Sequence, residues 1–180
     1  INEDLWKQYE KGIIDKDIVI NQRFRILFDR YEIKGNKEGF EVVYQELLGM
    51  QHILIDDAIE VIEYLYEKYD LYIVTNGVTS TQLRRVHESG IEGYMKRIFV
   101  SEETGFQKPM KEYFDYCFER IDNAKRDEAI IIGDSLSSDI KGGNNAGITT
   151  CWYNPGSLIN NTDSKVDIEI KNLRDLYEIL

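Results

Sequence analysis

Apolar residues recur at helical spacing through residues 1–51. Ile20, Phe24, Leu27, Phe28 and Tyr31 fall on one face, and Phe40, Val43, Tyr44, Leu47 and Leu48 on another. A shorter helix is expected around Leu5 and Tyr9, and Gly12 and Gly35-Asn36 read as turns between helices. No run in this stretch alternates as a strand does, so an all-helical unit is expected.

The pattern changes at about His52. A helix beginning near Asp56 is expected to turn Ile59, Ile62, Leu65, Tyr66 and Tyr69 inward, with Asp56 and Asp57 facing the positive end of its dipole. Short β-rich runs then alternate with helical ones. Leu71–Thr75 precedes a helix at about Thr79–Ser89. Arg97–Ser101 precedes a helix at about Lys111–Ile121 that carries Phe114, Cys117, Phe118 and Ile121 on one face. Ala129–Gly133 precedes a helix ending near Ala146. Thr149–Tyr153 and Asp167–Ile170 complete the strands, Asn160–Lys165 is an exposed loop, and a last helix carries Leu173, Leu176, Tyr177 and Leu180. Such alternation predicts an α/β protein with a parallel sheet covered on both faces, a three-layer Rossmann-like core over residues 52–180.

Composition narrows the function. The chain has 180 residues, 42 % of them hydrophobic, so it can bury a core. Its net charge of −11 repels a phosphate backbone and argues against a nucleic-acid polymer as partner. A small anion stays possible where a lysine, oriented N–H groups or a cation make the site locally positive. Cys117 and Cys151 lie far apart in apolar stretches, which suits free thiols in a reducing cytoplasm. No apolar run approaches the roughly 20 residues of a spanning helix, and no secretory signal is visible. His52 and His87 form no recognisable triad or zinc pattern and are expected on helix surfaces or at a boundary between the two units.

In an open α/β sheet, ligands gather at the carboxyl ends of the strands. After Leu71–Val74 come Thr75-Asn76-Gly77, a hydroxyl, an amide and a flexible glycine that can present donors to an anion; a plain strand-to-helix turn capped by Thr79 or Ser80 is the alternative. After the second strand comes Lys108-Pro109. Lysine before proline is extended, and its ammonium can meet a phosphoryl group at the sheet rim or simply be solvated. After the apolar Ile130–Ile132 come Gly133 and Asp134, with Asp139 five residues further on. Two carboxylates there form a hard-oxygen site suited to Mg²⁺. Capping by Ser137 or Ser138, with Asp139 in the first turn, is the alternative. Gly142, Gly143 and Gly147 suggest close packing of helix on sheet.

Together these motifs resemble the haloacid dehalogenase-like hydrolase superfamily. Ile73-Val74-Thr75-Asn76-Gly77, Lys108-Pro109, Gly133-Asp134-Ser135 through Asp139, and Asn144-Asn145-Ala146-Gly147-Ile148 carry the resemblance over residues 52–180. Leu5-Trp6-Lys7-Gln8-Tyr9, Gly12-Ile13-Ile14, Gln22-Arg23-Phe24, Ser101-Glu102-Glu103-Thr104-Gly105 and Thr150-Cys151-Trp152-Tyr153-Asn154 are similar to its pyrimidine 5′-nucleotidase branch. The resemblance implies that residues 1–51 are a helical cap and that the substrate is a small phosphorylated metabolite, a nucleoside monophosphate. It implies that Thr75, the Asn76 backbone N–H and Lys108 hold phosphate, and that Asp134 and Asp139 hold Mg²⁺. Trp6, Tyr9 and Arg23 become candidate contacts to base or sugar, against a reading as cap packing and surface.

The family also has a first strand with two aspartates, one of which attacks phosphorus to give an aspartyl-phosphate. No such strand stands in this sequence. Asp15/Asp17 sits at a helix start and Asp56/Asp57 opens the helix before the Thr75 strand, so neither pair fits. The chain opens on Ile1, not methionine, and the strand is expected to be supplied from outside these residues or replaced by another element. This stretch alone is expected not to turn over. A related phosphatase of sugar phosphates or phosphoglycolate, and a non-catalytic phosphate-binding protein should Ile1 be the true start, are the other readings.

Overall fold

The computed structural model describes residues 1–35 and 39–180. They divide into two compact units, Ile1–Gln51 and His52–Leu180.

The first unit holds three helices, α1 (Asn2–Glu10), α2 (Lys16–Arg30) and α3 (Phe40–Gly49), and no strand among its described residues. Leu5, Tyr9 and Val19 form its core, joined by Ile1, Trp6, Ile14 and Ile26. Gly12 takes φ +67° in the turn after α1, a conformation that costs glycine no Cβ clash. Asn36, expected in the next turn, lies outside the described residues. Two expected faces differ from the structure. Tyr31 falls past the end of α2 and is 66 % exposed, while Val19, Arg23 and Phe28 are the buried residues of that helix. On α3 Phe40, Val43 and Leu47 remain exposed. Periodicity fixes which side chains share a face, not whether another element covers it.

In the second unit, α4 (Ala58–Tyr66) leads to five strands: β1 (Leu71–Thr75), β2 (Met95–Val100), β3 (Ile130–Gly133), β4 (Thr149–Tyr153) and β5 (Ile168–Ile170). Between them lie α5 (Thr79–Glu88), α6 (Ser101–Thr104), α7 (Lys111–Phe118) and α8 (Lys141–Ala146). All pairings are parallel, in two sheets ordered β1-β2 and β3-β4-β5. Among the described residues β1 and β3 do not pair with each other.

Successive strand residues face opposite sides, and the two cores show it. Tyr72, Val74, Phe99 and Ile131 pack with Tyr113, Phe114, Cys117, Ala146 and Ile148 on one face. Leu71, Ile130, Ile132, Cys151 and Ile170 pack with Val61, Leu65 and Leu176 on the other. Helices therefore cover both faces, giving the three-layer Rossmann-like arrangement. On α4 the buried line is Ala58, Val61 and Leu65, whereas Ile59 and Tyr66 are exposed, as is Tyr69 past the helix end, contrary to expectation. The apolar stripe of α4 is wide, and packing against Ile170 and Leu176 selects the line through Val61 and Leu65. A Cβ on Gly143 would approach Thr150 and Ile131 to 2.6 and 2.7 Å, so this glycine lets α8 lie against β3 and β4. The last helical element, Leu173–Glu178, is a 3₁₀ helix closed by an Asn172/Asp175 capping box.

Candidate active site

β3 ends on Gly133, and Asp134 emerges exposed at its carboxyl end. The chain then makes a π-helical turn over Leu136–Ile140, in which the Ser135 carbonyl accepts from the amides of Asp139 (2.9 Å) and Ile140 (3.1 Å). Ser135, not Ser137 or Ser138, caps this turn: its hydroxyl accepts from the Ser138 amide at 3.2 Å. The wide turn sends the Asp139 side chain back over the strand end. There its Oδ2 accepts from the Ser135 amide at 3.1 Å. A Cβ on Gly133 would collide with the Asp139 carboxylate, so only glycine leaves that space.

Lys108 meets Asp139 in this space. Its Nζ donates to Asp139 Oδ1 at 2.6 Å and to the Val74 carbonyl of β1 at 2.8 Å. Both side chains are buried, at 9 % and 11 % exposure. Of the two readings of Lys108, the solvated one does not hold: the residue is a buried cation that joins the end of β1 to the turn after β3. Its backbone is held too, because Asn76 Nδ2 donates to the Lys108 carbonyl (2.8 Å) and Asn76 Oδ1 accepts from the Lys108 amide (2.9 Å). The Lys108–Pro109 peptide is cis. Asn76 Nδ2 also reaches Ser138 Oγ at 3.4 Å. The Thr75 hydroxyl oxygen accepts from the Gly77 amide at 3.1 Å. Neither Thr79 nor Ser80 caps α5; Glu102 does so from α6, accepting from the Thr79 amide and hydroxyl, each at 2.7 Å.

Thr75, Asn76, Lys108, Asp134 and Asp139 therefore assemble at the ends of β1 and β3. Three further residues hold them. Trp152, buried on β4, donates from Nε1 to the Asp134 carbonyl at 3.0 Å. Tyr113 links Phe99 to Thr75. Ser164, buried in the loop expected to be exposed, donates to the Leu136 carbonyl at 2.9 Å. The residues around Ser164 read as polar loop, and Tyr113 lies beside the Phe114–Cys117 face, so neither carried a signal in sequence.

Trp6, Tyr9 and Arg23 lie in the first unit. Trp6 and Tyr9 make an edge-on ring pair 5.7 Å apart. Arg23 is buried, stacks 4.3 Å from the Tyr44 ring centroid, and donates to Glu41 through Nε (2.7 Å) and Nη2 and to Asn2 Oδ1 (3.1 Å). Asp15 occupies the N-cap position of α2 without a side-chain capping bond, Asp17 lies in its first turn, and Asp57 precedes α4; none of these stands at a strand end. His52 and His87 are occupied on the surface of the second unit by Glu88 (3.4 Å) and Glu92 (2.7 Å).

Among the described residues no group of three or more His, Cys, Asp or Glu gathers as a complete metal cage. A Mg²⁺ ion does not need one, since it keeps several waters and takes one or two carboxylates together with substrate oxygens. The exposed Asp134 carboxylate, without a side-chain partner among the described residues, fits such a donor set, and the Asp139 carboxylate bonds the amide of the next residue, Ser135.

A parallel α/β core with a buried lysine–aspartate pair at its strand ends is a Rossmann-like core with a charged site where such folds bind ligands. The haloacid dehalogenase-like hydrolase family matches residues 7–153, and the chain belongs to it. The HAD-hydrolase YfnB of Bacillus subtilis (strain 168) is 47 % identical over 180 residues, which is 100 % of this chain and 77 % of that protein. A crystal structure of YfnB bound to magnesium matches with a TM-score of 0.93, covering 99 % of this chain and 78 % of that one. The pyrimidine 5′-nucleotidase PynA of Streptococcus pneumoniae (strain ATCC BAA-255 / R6) is 36 % identical over 181 residues, covering 100 % of this chain and 76 % of that protein.

Proposed function

We propose that this protein is a Mg²⁺-dependent phosphomonoesterase that releases phosphate from nucleoside 5′-monophosphates, pyrimidine nucleotides foremost. The observation that carries this reading is the placement of Lys108: a buried ammonium fixed between the Val74 carbonyl and Asp139, with its backbone tied to Asn76 of the turn after β1. An attacking carboxylate and a phosphate dianion repel each other unless cations lie between them. Lys108 supplies one such charge. Bound Mg²⁺, held by Asp134 with Asp139 directly or through water, would supply the other and polarise the phosphoryl oxygens. The Thr75 hydroxyl and the Asn76 amide bind phosphate oxygens, while the Asn76 side chain keeps Lys108 in place. Hydrolysis through an aspartyl-phosphate also requires an attacking carboxylate, which neither Asp15/Asp17 nor Asp56/Asp57 supplies. The likeness to PynA supports the nucleotide as substrate. The unit Ile1–Gln51 is the cap that selects the leaving group, with Trp6, Tyr9 and Arg23 as its candidate contacts.

The test is phosphate release by the full-length protein from pyrimidine and purine nucleoside monophosphates, sugar phosphates and phosphoglycolate, with and without Mg²⁺. Pyrimidine nucleotides are expected to be the best substrates, and Asp134→Asn to lower kcat/KM at least about a hundredfold. A sugar phosphate turned over faster than every nucleotide sinks the substrate assignment. Wild-type-like, Mg²⁺-dependent activity in Asp134→Asn sinks the metal assignment.

A further inference from the structure

We infer that Tyr113 is a positioning residue for the phosphate-binding turn after β1, distinct from the residues that touch phosphate. Tyr113 lies on α7 and is fully buried. Its hydroxyl donates to the Phe99 carbonyl of β2 at 2.7 Å and accepts from the Thr75 amide of β1 at 3.0 Å. One phenol oxygen thus stands between a donor and an acceptor on neighbouring strands, at the residue where β1 ends and the turn begins.

Packing alone does not call for this hydroxyl. The ring meets Phe114 edge-on at 5.5 Å between centroids, within the cluster that includes Phe99, and a phenylalanine would fill the same volume. Burying a hydroxyl is costly unless it is hydrogen-bonded, and this one is bonded at both lone pair and proton. The residue it holds is the phosphate-binding Thr75. The next residue, Asn76, is pinned to the Lys108 backbone by two hydrogen bonds, and α7 itself begins just past Lys108-Pro109. Tyr113 and Lys108 therefore reach the turn from the same segment. Thr75 is fixed through its amide and Asn76 through its side chain, so the Thr75 hydroxyl and the Asn76 amide keep their aim before any anion arrives. Preorganisation of this kind strengthens binding by reducing the ordering required on association.

What the turn binds rests on the phosphomonoesterase reading; that Tyr113 orders the turn does not. The experiment compares wild type, Tyr113→Phe and the control Tyr116→Phe in the full-length protein with Mg²⁺. It measures hydrolysis of p-nitrophenyl phosphate, inhibition by inorganic phosphate, and amide hydrogen exchange at Thr75, Asn76 and Gly77. Tyr113→Phe is expected to raise KM and the phosphate Ki about fivefold to tenfold, to change kcat by less than about threefold, and to speed exchange at all three amides. Tyr116→Phe is expected to leave these readouts unchanged. A lowered melting temperature with Ki and exchange as in wild type overturns the proposal and leaves Tyr113 a core residue. Should Tyr113→Phe not fold, 3-fluorotyrosine in place of Tyr113 keeps the packing and weakens the acceptor, and the same shift in Ki is required of it. A wild type that neither hydrolyses nor binds phosphate sinks the phosphatase reading, while faster exchange in Tyr113→Phe still upholds the positioning role.

Discussion

Lys108 and Asp139 carry opposite charges where little water reaches either. Removing one partner of such a pair leaves the other buried and uncompensated. Lys108→Met is accordingly expected to cost about 3–5 kcal/mol of stability, read by urea denaturation. Replacing both partners with apolar residues of similar size, Lys108→Met with Asp139→Leu, is expected to recover most of that loss while activity stays abolished. This separates the stabilising role of the pair from its chemical one. The two thiols lie at the opposite extreme of reactivity. Burial pushes Cys117 up to about 12 and Cys151 up to about 11, so both remain protonated at neutral pH. Thiolate is the reactive form. A disulfide reagent at pH 8 is therefore expected to modify neither cysteine in the folded protein and both in denaturant.

Among the elements, strands and the helices between them were legible in the sequence because alternation and helical periodicity are local signals. β1, β4 and α5 lie within a residue of their expected bounds. The turn over Leu136–Ile140 was not legible: its π geometry depends on Asp139 folding back onto the Ser135 amide and Lys108, a contact from elsewhere in the chain. The terminal 3₁₀ element depends on a shorter-range device. Asp175 accepts from the Asn172 and Lys171 amides, and these bonds hold its carboxyl below the ordinary carboxylate range, Asn172 contributing most. A lowered folded-state pKa gives stability that is present above the unfolded value of about 3.9 and lost as pH falls through the folded value. Asp175→Asn is expected to unfold at lower urea than wild type at pH 7. The gap should narrow below about pH 4 as Asp175 protonates. A gap that is constant with pH would show that the charge plays no part.

For the molecule as a whole, the backbone between α3 and α4 is an exposed stretch without regular structure. Residues 51–55 belong to no helix or strand, and Ile53 is 88 % exposed. We propose that the units on either side are separable cap and core domains. Brief digestion with thermolysin, which cuts before large apolar residues, is expected to cleave first near Ile53 or Ile55, leaving products with amino termini there by mass spectrometry. First cleavage inside α2 or α7 would argue against that division. No described helix is long and apolar enough to cross a membrane.

The sequence by itself determined the α/β class, the strand ends and the identity of the groups gathered there, because strand periodicity places Thr75, Asn76 and Asp134 just past apolar runs. Tertiary structure decided what those groups do to one another. The burial of Lys108, its bond to Asp139, the clamp from Asn76 and the tie from Tyr113 to Thr75 join residues 31 to 38 positions apart. Local pattern carries no record of such distances, since they are set when helices and strands pack. The same reason explains the exposed Val43 and Leu47 and the buried Arg23. A residue's face is written in its spacing, and its burial depends on what comes to lie against it.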